Sequence, residues 1–76
     1  MKKNPFSPHR LEQIAGAAAQ AGDYAVVALA RIAGGTPRNE LTVWQREAFK
    51  ARYSKIRAAG AAAELEFLGF LPEVGE

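Results

Sequence analysis

Between Leu11 and Ile32 the apolar and small residues recur every three or four positions, which is the spacing of one helix face. At about 100° per residue, this set falls within an arc of roughly 100°. Its members are Leu11, Ile14, Ala15, Ala18, Gly22, Ala25, Leu29 and Ile32. The opposite side carries Arg10, Glu12, Gln13, Gln20, Asp23 and Arg31. This pattern constrains the fold more than any other feature, because a helix with one apolar face needs a neighbour to cover that face.

The flanking residues set the limits of this helix. Ser7 is a favoured N-cap, and Pro8 suits the first helical position because its missing N–H would have no partner there. Since the apolar phase continues through Gly22, we expect one long helix, straight or bent, from Pro8 to Ala33. The alternative is two shorter helices with a turn at Gly22, because glycine commonly ends a helix and Asp23 is a favoured cap.

A second helical pattern follows Gly34-Gly35. Two starts are possible: Thr36-Pro37 repeats the cap-plus-proline signal, and Thr42 with Gln45 forms a capping box. From Thr42 the pattern continues to about Leu71, where Pro72 stops it. One apolar stripe on this helix consists of Phe49, Tyr53, Ile56, Gly60, Ala63 and Phe67. A second stripe, mostly of small residues, consists of Trp44, Ala48, Ala51, Ala59 and Ala62. Two apolar faces on one helix predict two neighbouring helices.

Two helices of about 26 and 28 residues predict an all-α antiparallel helical hairpin about 40 Å long. The 76 residues include 16 alanines and only 17 Leu, Ile, Val and Phe, so the core of a single hairpin would be thin. A fully buried Leu or Phe contributes about 1.5–3 kcal/mol, much more than an Ala methyl group. We therefore expect a homodimer that forms a four-helix bundle. The alternative is a monomeric three- or four-helix bundle, broken at Gly22 and Gly60.

The expected organisation is an N-terminal arm (residues 1–7), a single helical domain (8–71) and an acidic C-terminal tail (72–76). A chain of this length has room for one domain. No segment has the roughly 18 uncharged apolar residues of a membrane span, and no signal-peptide pattern is present. The chain has no cysteine, which excludes disulfides and thiolate metal sites. These features predict a soluble, cytoplasmic protein without a membrane partner.

The segment Leu29–Trp44 has the outline of a helix-turn-helix, with a helix end, a glycine turn and a new helix start. Repressor-type units need a small residue about four positions before the turn glycine and apolar residues about six and nine positions after it. If Gly34 is the turn glycine, the charged Glu40 occupies a position that requires an apolar residue. If Gly35 is the turn glycine, the large Arg31 occupies the position that requires a small residue. Each register satisfies half of the pattern, which favours the corner of a hairpin over a DNA-reading unit.

Positive charge is concentrated in the middle of the chain. Residues 46–57 include five basic residues and one acidic residue, whereas residues 58–76 include four glutamates and no basic residue. A basic helix face beside an aromatic residue can bind phosphates and stack a base. The candidate residues for binding a nucleic acid or an acidic partner are Arg38, Arg46, Lys50, Arg52, Lys55 and Arg57. An ordinary solvated helix face is the other interpretation.

The C-terminal segment is unusually rich in large apolar residues: Leu65, Phe67, Leu68, Phe70, Leu71 and Val74. One helix face cannot bury them all, and exposed apolar patches commonly mark contact sites. The alternative is that the last turns fold back over the open end of the hairpin. Aromatic residues dominate interface energetics. We therefore predict that a protein partner binds to Trp44, Phe49, Tyr53, Phe67, Phe70 and Leu71.

No catalytic constellation is recognisable in the sequence. His9 is the only histidine and has no evident partner to orient it, and Glu64 and Glu66 point to different faces of a helix. Neither a phosphate-binding loop nor a metal-ligand spacing is present. We predict a non-enzymatic interaction protein without cofactor or metal, such as a bacterial or phage regulator, inhibitor or assembly factor. The alternative is a small helix-turn-helix-like or basic-helix regulator that binds nucleic acid.

Overall fold

The computed structural model describes residues 5–72, except for the side chains of Ala58 and Ala59. Over this range the chain is all-α, as the sequence predicts, and it forms four α-helices and one short 3₁₀-helix. The helices are α1 (Pro8–Gln20), α2 (Tyr24–Ala33), α3 (Val43–Tyr53) and α4 (Ala58–Phe67). The 3₁₀-helix, Arg38–Glu40, lies between α2 and α3. The prediction of a hairpin of two long helices is wrong, because each predicted helix is divided into two.

The first division occurs at Gly22, whose φ of 76° is a backbone conformation that residues with a Cβ rarely adopt. The N–H of Asp23 donates to the carbonyl of Ala18 at 2.8 Å, and the N–H of Gly22 donates to that of Ala19 at 3.1 Å. This pair of bonds is a glycine-terminated helix end. Asp23 then caps α2, because its Oδ1 accepts from the N–H of Val26 at 3.3 Å. The apolar phase persists across the break because both helices face the same core.

Replacing Gly22 with Ala is expected to lower the free energy of unfolding by about 1–3 kcal/mol, the cost of a left-handed conformation in a non-glycine residue. No neighbouring atom lies within 4 Å of the added Cβ, so the effect comes from the backbone alone. Gly16→Ala is the matched control, because Gly16 is an exposed helical residue whose Cβ would also meet nothing within 4 Å. We expect this control to stabilise the protein by about 0.5–1 kcal/mol. Urea denaturation measures both, and stabilisation by both substitutions would contradict the assigned turn.

The second division lies between α3 and α4, where the alternative bundle predicted a break at Gly60. The structure instead ends α3 at Tyr53 and places Gly60 inside α4. The N–H of Ile56 donates to the carbonyl of Tyr53 at 2.9 Å, and Ile56 packs half-buried against the core. The start of α3 follows the predicted capping box, since the hydroxyl of Thr42 accepts from the N–H of Gln45 at 3.2 Å.

Helix α2 lies at the centre of the fold and packs against α1, α3 and α4. Its sequence is apolar around most of its circumference, as is typical of a helix that is buried on all sides. In α2, Tyr24 and Arg31 are exposed and Ala33 is half-buried, while the other seven residues are buried. The core consists of Phe6, Leu11, Ile14, Ala18, Ala25, Val26, Val27, Ala28, Leu29, Ala30, Ile32, Leu41, Phe49, Tyr53, Ala61 and Leu65. One chain therefore forms a core of its own around α2.

None of the helices in the described part of the chain is both long and apolar enough to span a bilayer.

Candidate binding surfaces

The C-terminal end of α4 divides its apolar residues between the core and the solvent. Gly69 adopts a φ of 101°, and its N–H donates to the carbonyl of Glu66 at 3.0 Å. The N–H of Phe70 donates to the carbonyl of Leu65 at 2.9 Å, which completes a second glycine-terminated helix end. Leu65 is fully buried, and Phe70 packs half-buried against the core. The turn therefore folds part of the segment back against the core, although the open hairpin end that it was predicted to cover is not formed.

Three apolar side chains of the same segment remain in solvent. Phe67 is 84% exposed, Leu71 is 68% exposed and Leu68 is 37% exposed. We call these three residues the C-terminal apolar surface. The segment is held against α1, because Nε of Arg10 donates to the carbonyl of Leu71 at 3.2 Å. Val74, the last apolar residue of the predicted cluster, lies outside the described residues.

The predicted anchors for a protein partner occupy different environments. Phe49 and Tyr53 lie in the core, 1% and 8% exposed, and their ring centroids are 6.0 Å apart. They stabilise the fold and are not available to a partner. Trp44 is 74% exposed on the first turn of α3, beside Val43, which is 64% exposed and which the sequence did not single out. The exposed anchors thus lie in two places, at the start of α3 and at the end of α4.

Arg52 connects the end of α3 to the start of α2. Its Nη1 lies 3.0 Å from Oδ1 of Asp23, the one ion pair within residues 5–72, and its Nη2 donates to the hydroxyl of Tyr53 at 3.0 Å. Burial raises the pKa of Tyr53, and the nearby carboxylates of Glu64 and Asp23 act in the same direction against the Arg52 charge. Arg52, one of the six predicted ligand-binding cations, is therefore occupied within the fold.

The raised pKa of Tyr53 predicts that stability falls in alkaline solution. Below pH 10, the ordinary pKa of tyrosine, the hydroxyl of Tyr53 is protonated in both the folded and the unfolded state, and its contribution to the free energy of unfolding is fully present. This contribution is lost as the pH rises through the pKa of the folded state, because the unfolded chain releases the proton more readily. Tyr53→Phe should therefore lose less free energy of unfolding than the wild type between about pH 9 and pH 11. Tyr24→Phe, at an exposed position, is the control, and an identical pH response of both variants would contradict this account.

Three of the other predicted cations converge between the 3₁₀-helix and the α3–α4 connection. Arg38, Lys55 and Arg57 line one open depression together with Ser54. We call these four residues the basic pocket. The guanidinium of Arg38 lies 4.8 Å from the ring centroid of Phe49 and donates to the carbonyl of Ile56. The sequence could not place Arg38 here, because the contact depends on how the α2–α3 connection crosses α3.

The remaining two cations, Arg46 and Lys50, are exposed on α3. They precede Ser54 by eight and four positions, so a helical repeat places them on the face that leads to the basic pocket. Of the six predicted cations, one therefore forms an ion pair within the fold, three lie in the basic pocket and two lie on the adjoining face of α3.

A groove of about 500 Å³ lies between α1 and α2 and reaches Gln45 at the start of α3. Its walls are made largely of small residues, including Ala15, Ala19 and Ala30. Its volume is within the range of small-molecule pockets. Its charged residues are Glu12 and Arg31, and Thr36 contributes a hydroxyl group to the lining.

The helix-turn-helix outline does not correspond to a short turn. Nine residues, 34–42, separate α2 from α3, whereas such units use a turn of about three to four residues. Leu41, and not Val43 or Trp44, enters the core from this connection. The spacing rule for a DNA-reading turn therefore does not apply to these helices.

Comparison of the chain with protein-family models, curated protein sequences and solved structures returns no significant match. Within the described part of the chain, no three His, Cys, Asp or Glu side chains are grouped so that they could hold a metal ion. Its fold and surfaces define a small all-helical protein with a central buried helix, an exposed apolar surface and a basic pocket.

Proposed function

We propose that this chain is a non-enzymatic interaction protein that binds a protein partner through the C-terminal apolar surface. The observation that carries the proposal is the exposure of Phe67 (84%) and Leu71 (68%) beside a well-buried core. Covering such a side chain contributes about 1.5–3 kcal/mol. Exposed aromatic and aliphatic clusters are typical anchors of interfaces. Occupying a partner's surface in this way is how a regulator, an inhibitor or an assembly factor acts.

The local structure supports this proposal because it fixes the surface before binding. The turn at Gly69 is closed by two backbone hydrogen bonds, and the bond from Arg10 to Leu71 attaches the following residues to α1. A surface that is already ordered loses less conformational entropy when a partner binds.

The charges around the surface define the chemistry of the partner. Glu64 and Glu66 precede Phe67, and residues 58–76 contain no Lys or Arg. Arg10, bonded to the carbonyl of Leu71, is therefore the cation that the described contacts bring to this surface. Complementary interfaces place opposite charges together. We therefore propose a partner whose contact surface combines apolar residues with Lys or Arg. The homodimer that the sequence predicts stays a prediction, as does action in the cytoplasm, which the absence of cysteine favours.

Capture of partners from extracts of the source cells tests this proposal. The bait is the wild-type chain or the variant Phe67→Ser/Leu71→Ser, and quantitative mass spectrometry compares the proteins that each bait captures. The matched control, which also tests the other exposed anchor, is Val43→Ser/Trp44→Ser; it removes two apolar side chains of comparable exposure, 64% and 74%. A loss confined to this control would place the contact at the start of α3. We expect one basic protein to be retained by the wild type and the control and to be reduced about tenfold or more with the C-terminal variant.

Two results would contradict the proposed function. One is equal retention of every captured protein by the C-terminal variant. The other is a homo-oligomer of this chain, detected by light scattering, that dissociates in the variant Phe67→Ser/Leu71→Ser. A second copy of the chain would then cover the C-terminal apolar surface. Circular dichroism of the variants tests whether they keep the wild-type helix content.

A further inference from the structure

The basic pocket has no part in the proposed protein contact, and three of its four lining residues are cations. Arg38 comes from the 3₁₀-helix, whereas Lys55 and Arg57 come from the connection between α3 and α4. Among residues 5–72, no acidic side chain lines the depression. Like charges placed together repel one another, so the arrangement favours a bound anion that offsets the repulsion.

Arg38 is fixed in position, unlike an ordinary solvated arginine. Its guanidinium lies over the ring of Phe49 at 4.8 Å, and Phe49 is buried in the core at 1% exposure. One Nη group of Arg38 also donates to the carbonyl of Ile56. An arginine supported from two sides presents its remaining donors in a defined direction, which lowers the entropy lost on binding.

The three cations also have no acidic partner in the part of the chain that the structure describes. Within residues 5–72, the ion pair formed is that of Arg52 with Asp23, and none of the three pocket cations takes part in one. Their charges are therefore available to a ligand. Ser54, on the same depression, adds a hydroxyl that can donate to an anionic oxygen.

From this arrangement we infer that the basic pocket binds a phosphate group. Phosphate carries several acceptor oxygens and matches the planar donor array of arginine, and Lys supplies a compact positive charge. The phosphate can belong to a nucleic-acid backbone or to a small phosphate compound. Arg46 and Lys50, which lead along α3 to Ser54, extend the positive face in the way that a strand with successive phosphates would use.

Two probes test the phosphate site directly. Inorganic phosphate is titrated at constant ionic strength while the amide signals of residues 54–57 are followed by NMR. A fluorescein-labelled single-stranded oligonucleotide of about 12 nucleotides is titrated by fluorescence anisotropy at several salt concentrations. The test variant is Lys55→Gln/Arg57→Gln, which leaves Arg38 and its contacts intact. The control is Arg10→Gln/Arg31→Gln, which lowers the net charge equally at positions on α1 and α2, outside both the pocket and the adjoining face of α3.

We expect the pocket variant to weaken binding of at least one probe about tenfold or more, and the control to weaken it much less. If the pocket variant binds both probes more weakly and its oligonucleotide binding depends less on salt, the natural ligand is a nucleic-acid backbone. If only its binding of inorganic phosphate is weaker, the natural ligand is a small phosphate compound. Either result supports the phosphate site. Equal losses in the two variants, no binding of either probe, or preferential binding of a poly-glutamate peptide would overturn it. If the double variant does not fold, Lys55→Gln alone against Arg31→Gln gives the same comparison.

Discussion

Leu29→Ala is expected to lower the free energy of unfolding by about 2–5 kcal/mol, the usual range for a leucine removed from a packed core. Leu29 is fully buried at the centre of α2, the helix against which the other three α-helices pack. Domains of this size have a total stability of about 0.05–0.15 kcal/mol per residue, so the substitution removes a large part of it. Urea denaturation followed by circular dichroism measures the effect.

Leu71→Ala is the appropriate control for this experiment, since Leu71 is 68% exposed and lies outside the core. We expect its effect on stability to stay within about 0.5 kcal/mol, as for most surface substitutions. A loss below about 1 kcal/mol for Leu29→Ala would show that α2 is not the central element of the core.

Phe49→Ala is expected to have a comparable or larger effect, a loss of about 3–5 kcal/mol. Phe49 is 1% exposed, lies with its ring centroid 6.0 Å from that of Tyr53, and supports the guanidinium of Arg38. Removing the ring therefore leaves a cavity in the core and also frees an arginine of the basic pocket. Phe67→Ala removes the same atoms at 84% exposure and should change stability by about 0.5 kcal/mol or less.

The milder variant Phe49→Leu separates the two consequences of losing the ring. It keeps most of the buried volume, so the protein should remain folded, while the cation–π contact with Arg38 is lost. We expect weaker binding of the phosphate probes by this folded variant. Unchanged phosphate binding would show that the ring does not position Arg38 for a ligand.

The sequence predicts the helical class and several helix boundaries, because these depend on local chemistry. Ser7 caps α1 and Thr42 caps α3 through the hydrogen bonds that their positions indicate. Periodicity wrongly predicts one continuous helix, because the apolar phase on either side of Gly22 reflects a shared core and not a shared axis. The two favourable ending residues, Gly22 and Asp23, were the local signal for the break.

The candidate sites were predictable only in part, for the same reason. Periodicity identifies Phe49 and Phe67 as members of one stripe, yet Phe49 is buried and Phe67 is exposed because α3 and α4 are separate helices. Charge counting identifies Arg38 and Arg52 equally as candidate ligand-binding residues. In the structure, Arg52 pairs with Asp23, whereas Arg38 lies over the ring of Phe49. Such distinctions depend on contacts between residues far apart in the chain.

The attachment of the C-terminal segment to α1 has a practical consequence for any fusion to this chain. Because Arg10 holds the backbone of Leu71, Pro72 lies near the first turn of α1. A bulky fusion partner joined directly after Pro72 would lie next to Leu71 and would shield the residues of the C-terminal apolar surface sterically. A long glycine-serine spacer keeps such a moiety clear of them, since its reach grows as about 5–6 Å times the square root of its residue number.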